Sequence, residues 1–206
     1  MATAERTGLI VDYGGVLTTD IFASFQRFCA AEGLAPDTVR DRLMGDPEAR
    51  GMLERLETGA IAAADFEPRF AAVLEVSAER LIERMFGSLK PDEAMLDGVR
   101  AARRAGVRTA MLSNSWGQDL YDPAMLEELF DAWVISGDEG IRKPDPAIYA
   151  LAAERIGLPP EACVFVDDLP GNLKPARAAG MATVLHRGDA AATLGEAGAL
   201  LGVSLR

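Results

Sequence analysis

A chain of 206 residues, 49% apolar and 26% charged, holds enough apolar material for one good core, or for a core domain carrying a smaller inserted one. Its formal net charge of −11, with no dense Lys/Arg cluster, argues against a nucleic-acid partner and leaves room for a small anionic substrate only at a local positive site. No apolar run approaches the roughly 20 residues that span a bilayer, and the polar stretch Met1 to Thr7 has no apolar signal segment behind it, so a cytoplasmic protein with no membrane partner is expected.

Residues 8–12 (GLIVD) form a short apolar run with the pattern of a buried strand, and the chain then turns through Gly14 and Gly15. From about residue 20 to 88 the pattern is helical. Ile21, Phe22, Phe25, Phe28 and Cys29 share one spacing, as do Phe66, Phe70, Val73 and Leu74, and then Leu81, Ile82, Met85 and Phe86. These stripes suit the core of a small bundle better than a ligand box. Further strand-like runs follow at 107–112, 131–135, 162–166 and 182–185, separated by helical segments bounded by Gly or Pro. Strands alternating with helices predict an α/β fold, a doubly wound parallel sheet made by residues 1–19 and 89–206, with 20–88 inserted as a helical domain.

Helix boundaries are well marked: Asp145-Pro146 reads as an N-cap followed by proline, and Gly106 and Gly180 suit left-handed helix ends. The two cysteines, Cys29 and Cys163, have no C-x-x-C spacing and read as core thiols.

In an open parallel sheet, ligands bind beyond the carboxyl ends of the strands, near the point where strand order reverses. Asp12 ends the first run, Ser113 and Asn114 the second, and Asp167 and Asp168 the fourth, while Lys143 precedes the helix after the third. Singly, each has a plain explanation as a helix cap, a turn residue or a solvated lysine. Together they would converge on one crevice. Crowded carboxylates repel one another, so a divalent cation is the natural reason to assemble them, and an all-oxygen set suits Mg2+ completed by water and a substrate phosphate.

Four segments carry a resemblance: Ile10-Val11-Asp12-Tyr13-Gly14-Gly15-Val16-Leu17, Leu112-Ser113-Asn114, Lys143-Pro144-Asp145-Pro146 and Val166-Asp167-Asp168. In this order they resemble the motifs of the haloacid dehalogenase (HAD) superfamily, whose helical cap belongs where residues 20–88 lie. The resemblance implies a Rossmann-like core and a phosphatase chemistry on small phosphorylated metabolites. Asp12 would be the nucleophile that forms an aspartyl-phosphate. Ser113, with the backbone N–H of Asn114, would hold the phosphoryl oxygens, and Lys143 would neutralise charge between Asp12 and phosphate. Mg2+ would be held by Asp12, Asp168 or Asp167, and the main-chain carbonyl of Gly14.

That glycine departs from the pattern. Family phosphatases usually carry a second Asp there, the acid and base of the reaction, a function worth ~10²–10⁴ in rate. Three readings follow: a phosphatase in which water or a cap residue stands in for the acid, a non-catalytic relative that binds a phospholigand or protein, and a 2-haloacid dehalogenase. Family dehalogenases typically place Tyr at position 14, whereas here Tyr13 comes one residue earlier. Among lesser candidates, His186 reads as a loop residue at the sheet edge or a proton shuttle, and Trp116 as packing or a wall of the substrate pocket. Asn172 could orient the acidic pair, and the Thr18 or Thr19 hydroxyl could position water. Neither substrate nor oligomeric state, monomer or homodimer, is legible.

Overall fold

The computed structural model describes residues 5–117 and 120–205. Five parallel strands, β1 (Gly8–Val11), β2 (Arg108–Ser113), β3 (Ala132–Ile135), β4 (Cys163–Asp167) and β5 (Ala182–Leu185), form one sheet in the order β3-β2-β1-β4-β5. Gly8 pairs with both Arg108 and Cys163, which sets β1 at the centre with β2 and β4 in register on its flanks. Glycine is needed at position 8 because a Cβ there would meet Leu158 Cδ1 at 2.6 Å and Cys163 Sγ at 3.0 Å.

All four residues of β1 are buried, as expected of a strand covered on both faces. Leu9 and Val11 point to one face, joining Met111, Val164, Val166 and Val184. That face is covered by α6 (Glu93–Arg104), α7 (Pro123–Leu129) and α11 (Ala190–Leu201). Ile10 points to the other, with Ala110, Leu112, Val134 and Phe165, beneath α9 (Pro146–Arg155) and α10 (Pro170–Ala178). A four-residue helix, α8 (Ser136–Glu139), follows β3. The Asp145 side chain accepts from the Ala147 N–H at 2.9 Å, and Gly106 and Gly180 take φ of 83° and 103°, so these helix boundaries fall where the sequence marks them.

The first strand closes at Val11 rather than at Asp12, yet the Asp12 N–H still bonds the Val166 carbonyl at 2.9 Å. Residues 21–86 hold five helices: α1 (Ile21–Ala31), α2 (Thr38–Gly45), α3 (Pro47–Glu57), α4 (Ala63–Leu74) and α5 (Leu81–Phe86). The stripes read from the sequence lie on α1, α4 and α5. Helices α2 and α3 escape that reading: α2 buries only Val39 and Leu43, and α3 buries Ala49, Met52 and Leu56 at helical spacing among charged residues. Both Asp20 and Asp46 cap the helices that follow them, each accepting from two backbone N–H groups.

These helices have their own core, in which Phe66 stacks on Phe70 with centroids 5.2 Å apart and Trp116 meets Phe25, Phe66 and Phe86 at 5.1–5.9 Å. The chain passes between helices and sheet through two paired segments. Thr19 N–H bonds the Lys90 carbonyl and Asp92 N–H the Leu17 carbonyl, around an antiparallel bridge between Thr18 and Pro91. Among the described residues, no helix is long and apolar enough to cross a membrane.

Phe66 is wholly buried among those rings. Its truncation to Ala is expected to cost about 3–5 kcal/mol in a urea unfolding curve, the range for a buried aromatic side chain.

Candidate active site

Strand order reverses at β1, because the chain moves from β1 outward through β2 to β3 and then returns to the other flank with β4. The crevice at this switch lies beyond the carboxyl ends of β1 and β4. Asp12 leaves β1 there, Asp167 ends β4 with Asp168 next to it, and the ligand atoms of the three lie within 4.8 Å of one another. Lys143 reaches in from the loop before α9. Its Nζ sits 2.8 Å from Asp12 Oδ1 and 2.8 Å from Asp167 Oδ2, with 1% of the residue exposed. The Phe165 ring lies 5.7 Å from the ammonium.

The two neighbouring aspartates differ in their surroundings. Asp167 is fully buried and its oxygens are occupied: Asn172 Nδ2 donates to both at 3.0 Å, the Leu169 N–H donates at 2.8 Å, and Lys143 takes the remaining contact. Asp168 is half-buried and faces the cavity beside Asp12. It packs against Gly15, where φ is 76° and a Cβ would meet Asp168 Oδ2 at 2.5 Å. Only glycine serves that turn, for its conformation and for the close approach of the carboxylate.

Ser113 and Asn114 follow β2. Ser113 Oγ accepts from the buried Tyr121 hydroxyl at 3.0 Å. Asn114 grips the backbone of Lys143 from both sides, Oδ1 accepting from its N–H at 2.9 Å and Nδ2 donating to its carbonyl at 3.0 Å. The asparagine side chain thus fixes the loop that aims the lysine, beyond the backbone role expected of it.

Gly14 lines the cavity, and the space beside it is taken. A Cβ at 14 would lie 2.3 Å from Ile21 Cδ1 and 3.3 Å from Cγ1, so a side chain there requires the end of the Ile21 side chain to turn aside. The Thr18 hydroxyl accepts from the Gly15 N–H and donates to the Thr19 carbonyl, so it ties the loop. Trp116 belongs to the helical core and also lines the cavity. His186 follows the edge strand β5, buried, its Nδ1 2.8 Å from Thr193 Oγ1, and it is not among the residues lining the cavity.

Sequence reasoning missed Glu57 and Tyr121. Glu57, the last residue of α3, is 5% exposed and reaches across to Arg142, which pairs with it through Nε, and to Asn114 Nδ2 at 3.4 Å. Burial pushes its carboxyl up against the opposing pull of Arg142. A lone glutamate at the end of a charge-rich helix carries no signal for such a role.

The electrostatics of the cluster decide what it can hold. Burial raises Asp12, to about 8; Lys143 opposes the rise, and the charges of Asp167 and Asp168 add to it. Asp168 rises to about 6, chiefly through burial and then through Asp167. Burial alone would lower Lys143, but Asp12 and Asp167 outweigh it and hold the ammonium charged. Fully ionised, three carboxylates against one ammonium would leave an excess of two negative charges in a largely apolar setting, the charge of one divalent cation; without that ion the raised Asp12 holds a proton at neutral pH. The donors are all oxygens, and Asp12, Asp168 and the Gly14 backbone border the same cavity, so the residues fit a hard ion such as Mg2+.

That cavity, of about 550 Å³, runs from this cluster to the underside of α1, α2, α3 and α5.

The family model of the haloacid dehalogenase-like hydrolases matches residues 7–180. Among curated proteins, the bifunctional epoxide hydrolase 2 of Sus scrofa is 32% identical over 136 residues, covering 63% of this chain and 24% of the pig protein, so the chain matches about a quarter of that relative. The sesquiterpene phosphatase of Aspergillus oryzae is 29% identical over 155 residues, covering 72% of this chain and 79% of the fungal one. Among solved structures, a HAD family enzyme of Bacteroides thetaiotaomicron superposes with a TM-score of 0.71 at 22% identity, covering 89% of this chain and 95% of the other. That enzyme has also been solved in complex with magnesium and inorganic phosphate.

Without a divalent ion, Asp12 and Asp168 bind protons more tightly in the folded protein than in the unfolded chain. That contribution to stability is complete below about pH 4 and is lost as pH rises through about 6 and 8. Mg2+ bound at the cluster would displace those protons. It is therefore expected to raise Tm by an increment that grows from pH 6 to pH 8, read by thermal unfolding with Mg2+ against EDTA. Equal increments at the two pH values would refute the charge count above.

Proposed function

Since this chain belongs to the haloacid dehalogenase-like hydrolases, we propose that it is a Mg2+-dependent phosphomonoesterase working through Asp12. The observation that carries this reading is the contact of Lys143 Nζ with Asp12 at 2.8 Å inside a cluster of three carboxyl groups around that one ammonium. A pure binding site has no need of a nucleophile held by a buried lysine. A departing halide would meet three carboxylates within 4.8 Å, which counts against dehalogenation.

Bound Mg2+ would cancel the excess charge and draw a phosphate dianion against Asp12, with Asp12, Asp168 and the Gly14 carbonyl as its protein ligands. The chain's own groups do the rest. Lys143 and Ser113 Oγ stabilise the equatorial phosphoryl oxygens, together with the Asn114 backbone N–H. An oxygen of the Asp12 carboxylate forms a bond to phosphorus while the ester P–O bond breaks, and the electron pair leaves on the alcohol oxygen. Water then attacks the phosphorus of the acyl phosphate, the bond to Asp12 breaks, and inorganic phosphate departs with the carboxylate restored. Asp167 and Asn172 keep the lysine aimed throughout.

With glycine at 14 and Ile21 across it, the leaving oxygen takes its proton from water. Turnover should therefore depend steeply on the acidity of the leaving group. The enzyme is expected to hydrolyse 4-nitrophenyl phosphate with Mg2+, and Asp12→Asn to reduce this to background, measured by phosphate release. Equal activity of wild type and Asp12→Asn would sink the proposal.

Restoring the acid requires room. Gly14→Asp alone must displace the end of the Ile21 side chain, so the double variant Gly14→Asp/Ile21→Ala is expected to gain at least as much, up to about 10²-fold in kcat on poor leaving groups and little on 4-nitrophenyl phosphate. No gain in either variant would mean that proton transfer to the leaving group does not limit turnover.

A further inference from the structure

Building on the phosphatase reading, we propose that the organic part of the substrate is apolar: a phosphate monoester whose hydrocarbon body lies between the phosphate end and helices α1, α2, α3 and α5. The cavity of about 550 Å³ is within the usual range for a small-molecule site, and a phosphoryl group fills only its catalytic end. The rest is walled largely by Ile21, Phe22, Phe25, Leu43, Leu53 and Phe86.

Two of these, Ile21 and Phe22, are only partly buried although they share the apolar stripe of α1, so part of that stripe faces the cavity instead of the helical core. Phe25 and Phe86 pack against Trp116 on one side and border the cavity on the other.

Most polar groups along these walls are already engaged, the exposed Lys90 apart. Glu57 pairs with Arg142, Arg40 with Asp37 and Asp41, and Asp122 caps α7. The Tyr13 hydroxyl donates to the Leu120 carbonyl, the Tyr121 hydroxyl to Ser113, and Asn172 to Asp167. A sugar or nucleotide entering here would shed its hydration and find these partners committed elsewhere, and each buried unpaired polar group is costly. A hydrocarbon body loses nothing and gains burial. Each added methylene should improve binding two- to fourfold, about the value of removing one CH2 from water.

The test separates this inference from the reading it rests on. Dissociation constants of n-alkylphosphonates from ethyl to decyl, measured by calorimetry with Mg2+, need no turnover. They should tighten about two- to fourfold per methylene over the first several carbons, while ω-carboxyalkylphosphonates of equal length should not follow. A flat series, or carboxylates bound as tightly, overturns the apolar site. In parallel, kcat/KM for 4-alkylphenyl phosphates should climb with chain length at nearly constant leaving-group acidity. If phosphonate affinity climbs while no aryl phosphate is cleaved, the phosphatase reading fails and the apolar site stands.

Leu53→Glu should cut the gain per methylene below about twofold. Met44→Glu changes a cavity-bordering side chain that is 71% exposed, so it carries little folding risk and should act in the same direction. Full retention of the chain-length gain in both folded variants would also overturn the proposal.

Discussion

Burying three carboxylates with one ammonium is the constraint around which this molecule is arranged. The excess negative charge cannot be dispersed into solvent, because Asp12, Asp167 and Lys143 are all nearly inaccessible. Each surrounding feature answers it. Asn172 and the Leu169 N–H tie Asp167 to the lysine; Gly15 lets Asp168 come close; Asn114 clamps the Lys143 backbone. Buried ion pairs stabilise little on balance, so a cluster this costly supports the proposal that it receives a cation and an anion.

The parallel sheet supplies the convergence. Because β2 and β4 flank β1 in register, residues at the ends of three strands far apart in sequence arrive at one edge. The helical layer supplies the other half of the cavity, and its contribution is chemically one-sided. It brings hydrocarbon at Ile21, Phe22 and Leu53, with Glu57 paired to Arg142 and Arg40 paired to Asp37 and Asp41. At Gly14 the two halves meet, and an isoleucine methyl sits where an acidic side chain would otherwise stand.

Much of this was legible in the sequence, for identifiable reasons. Apolar runs bounded by Gly and Pro mark buried strands strongly, so all five were found, with ends off by about one residue. Asp12, Lys143, Asp167 and Asp168 were legible because strand ends in a parallel sheet share an edge, which turns sequence order into proximity. The division of labour between Asp167 and Asp168 was not, since it depends on which carboxylate the Asn172 amide reaches. Nor were α2 and α3, whose few apolar residues are set among charged ones. The obstruction at Gly14 is equally invisible in one dimension, because Ile21 reads as an ordinary member of a helical face. Glu57 and Arg142 are 85 positions apart and nothing local announces their meeting.

That meeting has a practical outcome for redesign. The end of α3 is moored to the sheet through Glu57, whose side chain holds Arg142 and Asn114 and whose carbonyl accepts from Ser136. Gly59 just beyond passes so near the Gly137 carbonyl that a methyl group would collide with it. Arg142 and Asn114 are the same two residues that border and grip Lys143. The cavity wall and the proposed catalytic lysine therefore share an anchor at this helix end, whereas α1 and the far half of α2 shape the chamber without touching the lysine's mooring. Evolution, or an engineer, can retune what enters from those helices and leave the electrostatic engine alone.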